Sequence, residues 1–217
     1  SASGKRVGGV KSTPKLHSGV LACKYFNSRS LGNKLLELDH LLEAEQYLVI
    51  AICETWLCDL IPDCLVTSRP YSVFRKDRAY ARGGGVAVLV NNTVTACSVS
   101  SNQPRFSSLE AVAVDIHMSS AKHRLICVYR SPSCSLEYTK LVTDYITSMC
   151  NVSWPVTIVG DFNFPGIGWS TYSGPNIESY NVFIKVIVDL GLHQLVSFPT
   201  RQNNVLDLVF TTSPLNV

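Results

Sequence analysis

The sequence predicts an α/β domain in which two packed β-sheets are covered by helices. Three observations carry this. The stretch from Tyr71 to Tyr129 is dense in short apolar runs separated by turn-rich joints, amphipathic helical patterns flank it, and no internal repeat is present. An all-β sandwich would lack the amphipathic helices, so sheets with helical cover fit better. At 217 residues the chain is long enough for one domain with a substantial core, and 46% hydrophobic against 16% charged residues argues against disorder.

Residues 1–18 hold Gly4, Gly8, Gly9, Pro14, four serines and four basic side chains with almost no apolar periodicity. They are expected to form a flexible leader ahead of a domain over 19–217. Val20 to Phe26 then reads as a strand. Leu31 to Glu45 carries leucines at 31, 35, 38 and 42, the spacing of one buried helical face, and Tyr47 to Cys53 returns to strand. Further strands are expected at Val86 to Val90, Val94 to Val99, Leu109 to Ile116 and Arg124 to Tyr129. Helical pattern resumes at Leu136 to Met149. The mostly aliphatic run Val156 to Val159 breaks at Gly160, a helix follows at about Glu178 to Leu190 with Gly191 as its C-cap, and Val205 to Phe210 forms a last strand.

The net charge of +3 is compatible with a polyanionic partner but falls short of the strongly basic footprint of a pure nucleic-acid binder. The eight cysteines show no Cys-x-x-Cys pair, and Cys53 and Cys127 lie inside apolar runs, so they read as reduced and the chain as intracellular. A disulfide framework is the other reading, although secreted stapled domains are normally much shorter. No apolar stretch approaches a membrane span, and no signal-peptide core is present, so no membrane partner is expected. The chain begins at Ser1 without an initiator methionine, as expected of a piece excised from something longer.

Two strands end in polar groups able to bind a metal: Val156 to Val159 delivers Asp161-Phe162-Asn163, and Tyr47 to Cys53 delivers Glu54-Thr55-Trp56. A carboxylate just past the last apolar position of a buried strand sits at the sheet's rim, where active sites gather. If the chain stays extended, Asp161 and Asn163 share a face and can act on one phosphate. Taken alone, either is equally an Asx turn at a strand end. Gly83 to Gly85 leads into a strand with no helix and no Gly-Lys-Ser/Thr, so it reads as a tight hairpin approach rather than a nucleotide-binding loop.

In order along the chain stand Tyr25-Phe26-Asn27-Ser28-Arg29-Ser30-Leu31, Ile52-Cys53-Glu54-Thr55-Trp56-Leu57, Arg75-Lys76-Asp77-Arg78 with Gly83-Gly84-Gly85-Val86, Val128-Tyr129-Arg130, Gly160-Asp161-Phe162-Asn163 and Leu206-Asp207-Leu208. This series resembles the endonuclease domain of non-LTR retrotransposons. That domain belongs to the endonuclease/exonuclease/phosphatase superfamily and is similar to apurinic/apyrimidinic endonucleases. The resemblance spans nearly everything from Val20 to Phe210 and implies a four-layered α/β/β/α sandwich, here C-terminally truncated.

The resemblance further implies a Mg²⁺-dependent phosphodiesterase, with Mn²⁺ as a substitute, acting on double-stranded DNA, in the nucleus where the target is chromosomal, and fused to a reverse transcriptase. Glu54 is then the direct metal ligand, since Mg²⁺ takes few protein carboxylates and keeps much of its water. Asn27 helps hold the metal or phosphate, Asp161 aligns or deprotonates the attacking water, Asn163 donates to a phosphate oxygen, and the Tyr129 hydroxyl contacts the phosphate. Asp207 resembles the aspartate that orients a histidine drawn from a downstream Ser-Asp-His motif. No such motif occurs before Val217, and none of His17, His40, His117, His123 and His193 reads as a stand-in, so the fragment is expected to be weak or inactive by itself. Arg75, Lys76, Arg78 and Arg82 are placed to track a duplex backbone, and Arg130 and Arg201 to reach phosphates near the site. Two other readings stay open: a phosphatase or exonuclease of the same superfamily, and a nucleic-acid-binding remnant without catalysis.

Overall fold

The computed structural model describes residues 21–44, 47–79, 81–119 and 121–214, so the expected leader over 1–18 lies outside the described residues. Ten strands and four α-helices occur among them. The first sheet has the order β1-β2-β4-β3: β1 (Cys23–Asn27) pairs parallel to β2 (Val49–Cys53), and β4 (Val86–Asn91) runs antiparallel to both β2 and β3 (Tyr71–Lys76). The second sheet has the order β5-β6-β7-β8-β10-β9. In it β5 (Thr95–Ser98), β6 (Ala111–His117) and β7 (Lys122–Tyr129) form an antiparallel meander. β8 (Val156–Asp161) lies parallel to β7, and β10 (Asp207–Thr211) is antiparallel to both β8 and β9 (His193–Gln194).

The four layers follow from side-chain alternation in strands buried on both faces. On β2, Val49, Ala51 and Cys53 enter the core between the sheets, while Ile50 and Ile52 pack outward with Leu38 and Leu42 of helix α1 (Leu35–Ala44) and Val66 of the short α2 (Asp63–Val66). On β7, Leu125, Cys127 and Tyr129 face the same inter-sheet core. Ile126 and Val128 turn to the opposite side, where α3 (Leu136–Cys150) contributes Val142 and Ile146 and α4 (Glu178–Asp189) contributes Phe183 and Ile187. This is the α/β/β/α sandwich. All eight cysteines are free thiols, and no helix among the described residues is long and apolar enough to cross a membrane.

Local signals account for the boundaries. Ser135 caps α3 by accepting from the Tyr138 N–H at 3.2 Å. Gly191, at φ +61, ends α4: its N–H donates to Val188 O and the Leu192 N–H reaches Ile187 O, both at 3.0 Å, the paired bonds of a Schellman cap. Helix α1 starts at Leu35, later than the leucine spacing suggests, because Arg29 and Ser30 hold positive φ angles and Leu31 packs from the turn that follows. Strand β3, whose run ends in Arg75 and Lys76, was not delimited by apolar pattern, being an edge strand with one face half open.

Candidate active site

Strand polarity gathers the motif residues at one rim. Asn27 ends β1 and is the register partner of Cys53, which puts Glu54 one step past the end of β2. In the other sheet Tyr129, at the end of β7, pairs with Asp161 at the end of β8, and Asp161 pairs in turn with Asp207 at the start of the antiparallel β10. Tyr129 belongs to the inter-sheet face, as do Asp161 and Asp207, which alternate with Gly160 and Leu208 on the helix side. The two sheets therefore present these groups to one another across the mouth of the sandwich.

Asn27 ties the set together. Its Nδ2 donates to Glu54 Oε1 at 2.8 Å and to Asp161 Oδ2 at 2.9 Å, so both amide hydrogens bridge carboxylates from different sheets. Its Oδ1 accepts from the Arg29 N–H at 3.1 Å, so Asn27 forms an Asx turn and organises the site at once. Tyr25, two residues earlier on the same face, donates its hydroxyl to Asp207 Oδ1 at 2.7 Å. The Thr200 hydroxyl accepts from the N–H groups of Leu206 and Asp207, both at 3.0 Å, fixing the entry of β10. Behind Glu54, the Ser28 hydroxyl donates to the Glu54 carbonyl at 2.8 Å. The sequence assigns no role to Tyr25, Ser28 or Thr200, although Tyr25 and Ser28 stand in the first motif; the partners of Tyr25 and Ser28 lie far off in the chain, whereas those of Thr200 are six and seven residues on.

The electrostatics are uneven. Asp161 is 3% exposed, and burial, the Asp207 charge and the Glu54 charge push its pKa up from 3.8 to about 7, while the Asn27 amide and the Asn163 backbone pull the other way. Tyr129 is also raised, by burial first and then by Glu54 and Asp161, so its hydroxyl stays protonated at any physiological pH. Asp161 Oδ1 is buried and has no hydrogen-bond partner. A bare buried carboxylate oxygen beside two other carboxylates is an arrangement that a water or a cation would relieve. Among the described residues no three His, Cys, Asp or Glu side chains converge tightly enough to cage an ion. An ion held here would therefore rest on one or two carboxylates and keep much of its water, as Mg²⁺ does.

Backbone strain collects at the same rim. Of the seven non-glycine residues with positive φ among the described residues, Arg29, Ser30, Glu54, Trp56 and Asn163 lie in the three segments that build the site. Each costs on the order of 1 kcal/mol and persists only where surrounding contacts enforce it.

Several expectations change. The shared face of Asp161 and Asn163 assumed an extended chain, but β8 stops at Asp161 and Asn163 sits at φ +52, with its Nδ2 donating to the Arg130 carbonyl at 2.8 Å. Arg130 does not reach outward. It is 4% exposed, donates to Thr139 Oγ1 and to the carbonyls of Phe162 and Asn163, and lies 3.8 Å from the Phe164 ring centroid, clamping the segment after Asp161 from behind. Arg75 is likewise committed inward: its Nη2 donates to Ile61 O, and its Nε pairs with Asp63 at 3.1 Å, which pins the segment 58–63. Arg78 pairs with Glu110 and lies 5.7 Å from the Tyr129 ring centroid. Arg82 is exposed over the Trp56 ring, and Arg201 is exposed in the turn bridged to Asn204, just before Asp207. Three of the described histidines lie away from the rim: His193 pairs with Thr211, at the far end of β10 from Asp207, His123 is bonded to Thr157 Oγ1 near the opposite end of β7 from Tyr129, and His117 pairs with Lys122 at that same end.

Residues 123–217 match the family model described as Endonuclease-reverse transcriptase. No match was found among curated protein sequences. The endonuclease domain of TRAS1, a telomere-specific non-LTR retrotransposon, superposes with a TM-score of 0.61 at 16% identity, over 89% of this chain and 85% of that one. The AP endonuclease LMAP from Leishmania major gives a TM-score of 0.67 at 15% identity, over 89% of this chain and 79% of that one. The 3'-5' exonuclease NExo from Neisseria meningitidis gives 0.59 at 16% identity, over 89% and 88%. The fold is that shared by these nucleases of the endonuclease/exonuclease/phosphatase type, and the family-model match over 123–217 is to an endonuclease-reverse transcriptase family.

Proposed function

We propose that this chain is the DNA-nicking domain of a retroelement polyprotein, a metal-dependent endonuclease that hydrolyses one strand of a duplex to leave a primer for reverse transcription. The observation that carries the reading is the Asn27 bridge between Glu54 and Asp161, with Tyr129 and Asp207 on the neighbouring register positions. The family-model match and the likeness to the TRAS1 domain support the retroelement branch.

Each side chain has work matched to its surroundings. Asp161, with a pKa near 7, is poised to take a proton from the attacking water near neutral pH, while Asn27 holds it in line. Tyr129 keeps its proton and can donate to a non-bridging phosphate oxygen. Asp207, with Oδ1 taken by Tyr25, has its second oxygen left to orient the histidine that the resemblance calls for. Asn163, turned from the extended path, retains one amide hydrogen beyond its bond to Arg130. Glu54 would hold a Mg²⁺ or Mn²⁺ ion, which when bound offsets charge developing on the phosphate. For the product to prime synthesis, the bond that breaks is P–O3′, leaving a free 3′ hydroxyl.

The reading is tested by incubating supercoiled plasmid and Mg²⁺ with the domain, alone and extended by its downstream sequence. Nicked circles that disappear in EDTA and in the Glu54→Ala and Asp161→Ala variants are expected. Phosphate release from 3′-phosphate ends without nicking would move the assignment to a phosphatase. Duplex binding without cleavage in both forms would leave only a binding remnant.

A further inference from the structure

Glu110 stands outside every motif that marks the site. It lies just before β6, is 8% exposed, donates its N–H to the Tyr138 hydroxyl at 3.4 Å, and makes three further connections. Its Oε1 accepts from Arg78 Nε at 2.9 Å and pairs with the charged Nη2 at 2.8 Å, its Oε2 accepts from the Gly85 N–H, and its carbonyl accepts from the Tyr129 N–H at 2.9 Å. The glycine loop in turn grips the segment after Glu54, with the Trp56 N–H donating to Gly84 O at 2.9 Å and the Thr55 N–H to Gly85 O at 3.3 Å. One residue thus links the β7 end that carries Tyr129, through its backbone carbonyl, to the turn that carries Glu54, through its carboxylate and the glycine loop, across the gap between the sheets. The fit is close: a Cβ on Gly84 would stand 2.1 Å from Glu110 Oε2 and 2.6 Å from the Arg78 guanidinium.

Partly buried ion pairs add little net stability, because desolvation offsets the attraction, so this pair needs another account. Arg78 keeps its Nη1 without a protein hydrogen bond among the described residues, and its guanidinium sits over the Tyr129 ring. A cation fixed in advance beside the group that meets a phosphate stabilises charge there without reorganising during reaction. A planar fork held on one edge by a carboxylate presents its other edge in a set direction.

We propose that Glu110 is a positioning residue, fixing Arg78 so that its free edge meets a non-bridging oxygen of the reacting phosphate rather than the flanking backbone of the duplex. This rests on the phosphodiesterase reading above. It assigns Arg78 to the reacting centre and gives Glu110 a role exerted only through Arg78.

The test combines single-turnover nicking of a duplex, duplex affinity across salt, and the Nε–H NMR signal of Arg78, using the chain extended by its downstream sequence and its Arg78→Ala, Arg78→Lys and Glu110→Gln variants in that same form. Glu110→Gln retains an acceptor for the Gly85 N–H, and thermal melting verifies folding of each variant. Arg78→Ala is expected to slow nicking about 100-fold. Glu110→Gln should slow it about tenfold, both with duplex Kd changed less than about threefold. Arg78→Lys should recover part of the loss, and the double variant should be no slower than Arg78→Ala alone. Additive losses, or an Arg78→Ala variant that binds duplex weakly yet nicks at the normal rate, would overturn the proposal. Adding a short duplex with Ca²⁺ should shift the Arg78 Nε–H signal in the unaltered chain and not in Glu110→Gln. That shift without any nicking would sink the nuclease reading and leave the positioning role standing, whereas an unmoved signal overturns the positioning role itself.

Discussion

Replacing Asp161 by asparagine should make the domain inactive and, at neutral pH and above, more stable. The carboxyl is 3% exposed, faces Asp207 across the strand pair, and has its pKa raised from 3.8 to about 7. Between those values the folded state binds a proton that the unfolded state has released, so stability falls as pH rises through this window and the full penalty is present above pH 7. A shift of about three units corresponds to about 4 kcal/mol, or about 10 °C in melting temperature for a domain of this size. The Asp161→Asn variant carries no such charge and should escape the loss. Urea unfolding in EDTA, run for both proteins from pH 4 to pH 8.5, measures the difference directly, and taking the difference cancels the contribution of carboxylates not coupled to Asp161. The two stability curves should nearly meet near pH 4 and diverge to about 4 kcal/mol above pH 7. Mg²⁺ should narrow the gap by stabilising the unaltered protein, since an ion that binds only the folded state shifts the equilibrium toward it. A gain that is the same at every pH, or a variant less stable throughout, would refute the reasoning from burial and like charge.

Tyr129→Phe should cut nicking about 10- to 100-fold while leaving the melting temperature nearly unchanged, because only a donor to the phosphate is removed. Gly160→Ala should destabilise by about 3 kcal/mol in a denaturant titration, since a Cβ there would meet Val128 O at 2.0 Å where β7 and β8 approach. Arg130→Ala should also cost about 3 kcal/mol, by removing a buried guanidinium that serves three acceptors, and should leave the salt dependence of duplex binding unaltered. A flattened salt slope for Arg130→Ala would mean that Arg130 touches the duplex after all.

Strands β2, β4, β7 and β8 were legible because burial on both faces leaves a mostly apolar run, from Leu125 onward in β7 and interrupted only by Thr157 before Gly160 in β8, with no competing period. The C-cap at Gly191 was legible because few residues other than glycine tolerate φ +61 there. Strand β3 hid because an edge strand ending in Arg75 and Lys76 looks like a loop, and α1 was drawn too early because Leu31 packs into the same core from a turn. The rim carboxylates stood out as polar groups directly past apolar runs. The basic residues misled for a physical reason: a charge run in a sequence does not tell whether a guanidinium meets water or backbone carbonyls. Arg75 and Arg130 turn out to hold loops in place. Glu110 gave no local signal, and Tyr25, though it opens the first motif, gave no hint of its role, since their importance comes from contacts that join the two sheets or distant strands.

The most direct measurement is Mg²⁺-dependent nicking of supercoiled plasmid by the domain expressed within its natural reading frame, set beside its Glu54→Gln and Asp161→Asn variants. The account predicts nicked circles with the unaltered protein and at least about a 100-fold loss with either variant, both variants remaining folded. Equal nicking by all three proteins would contradict it.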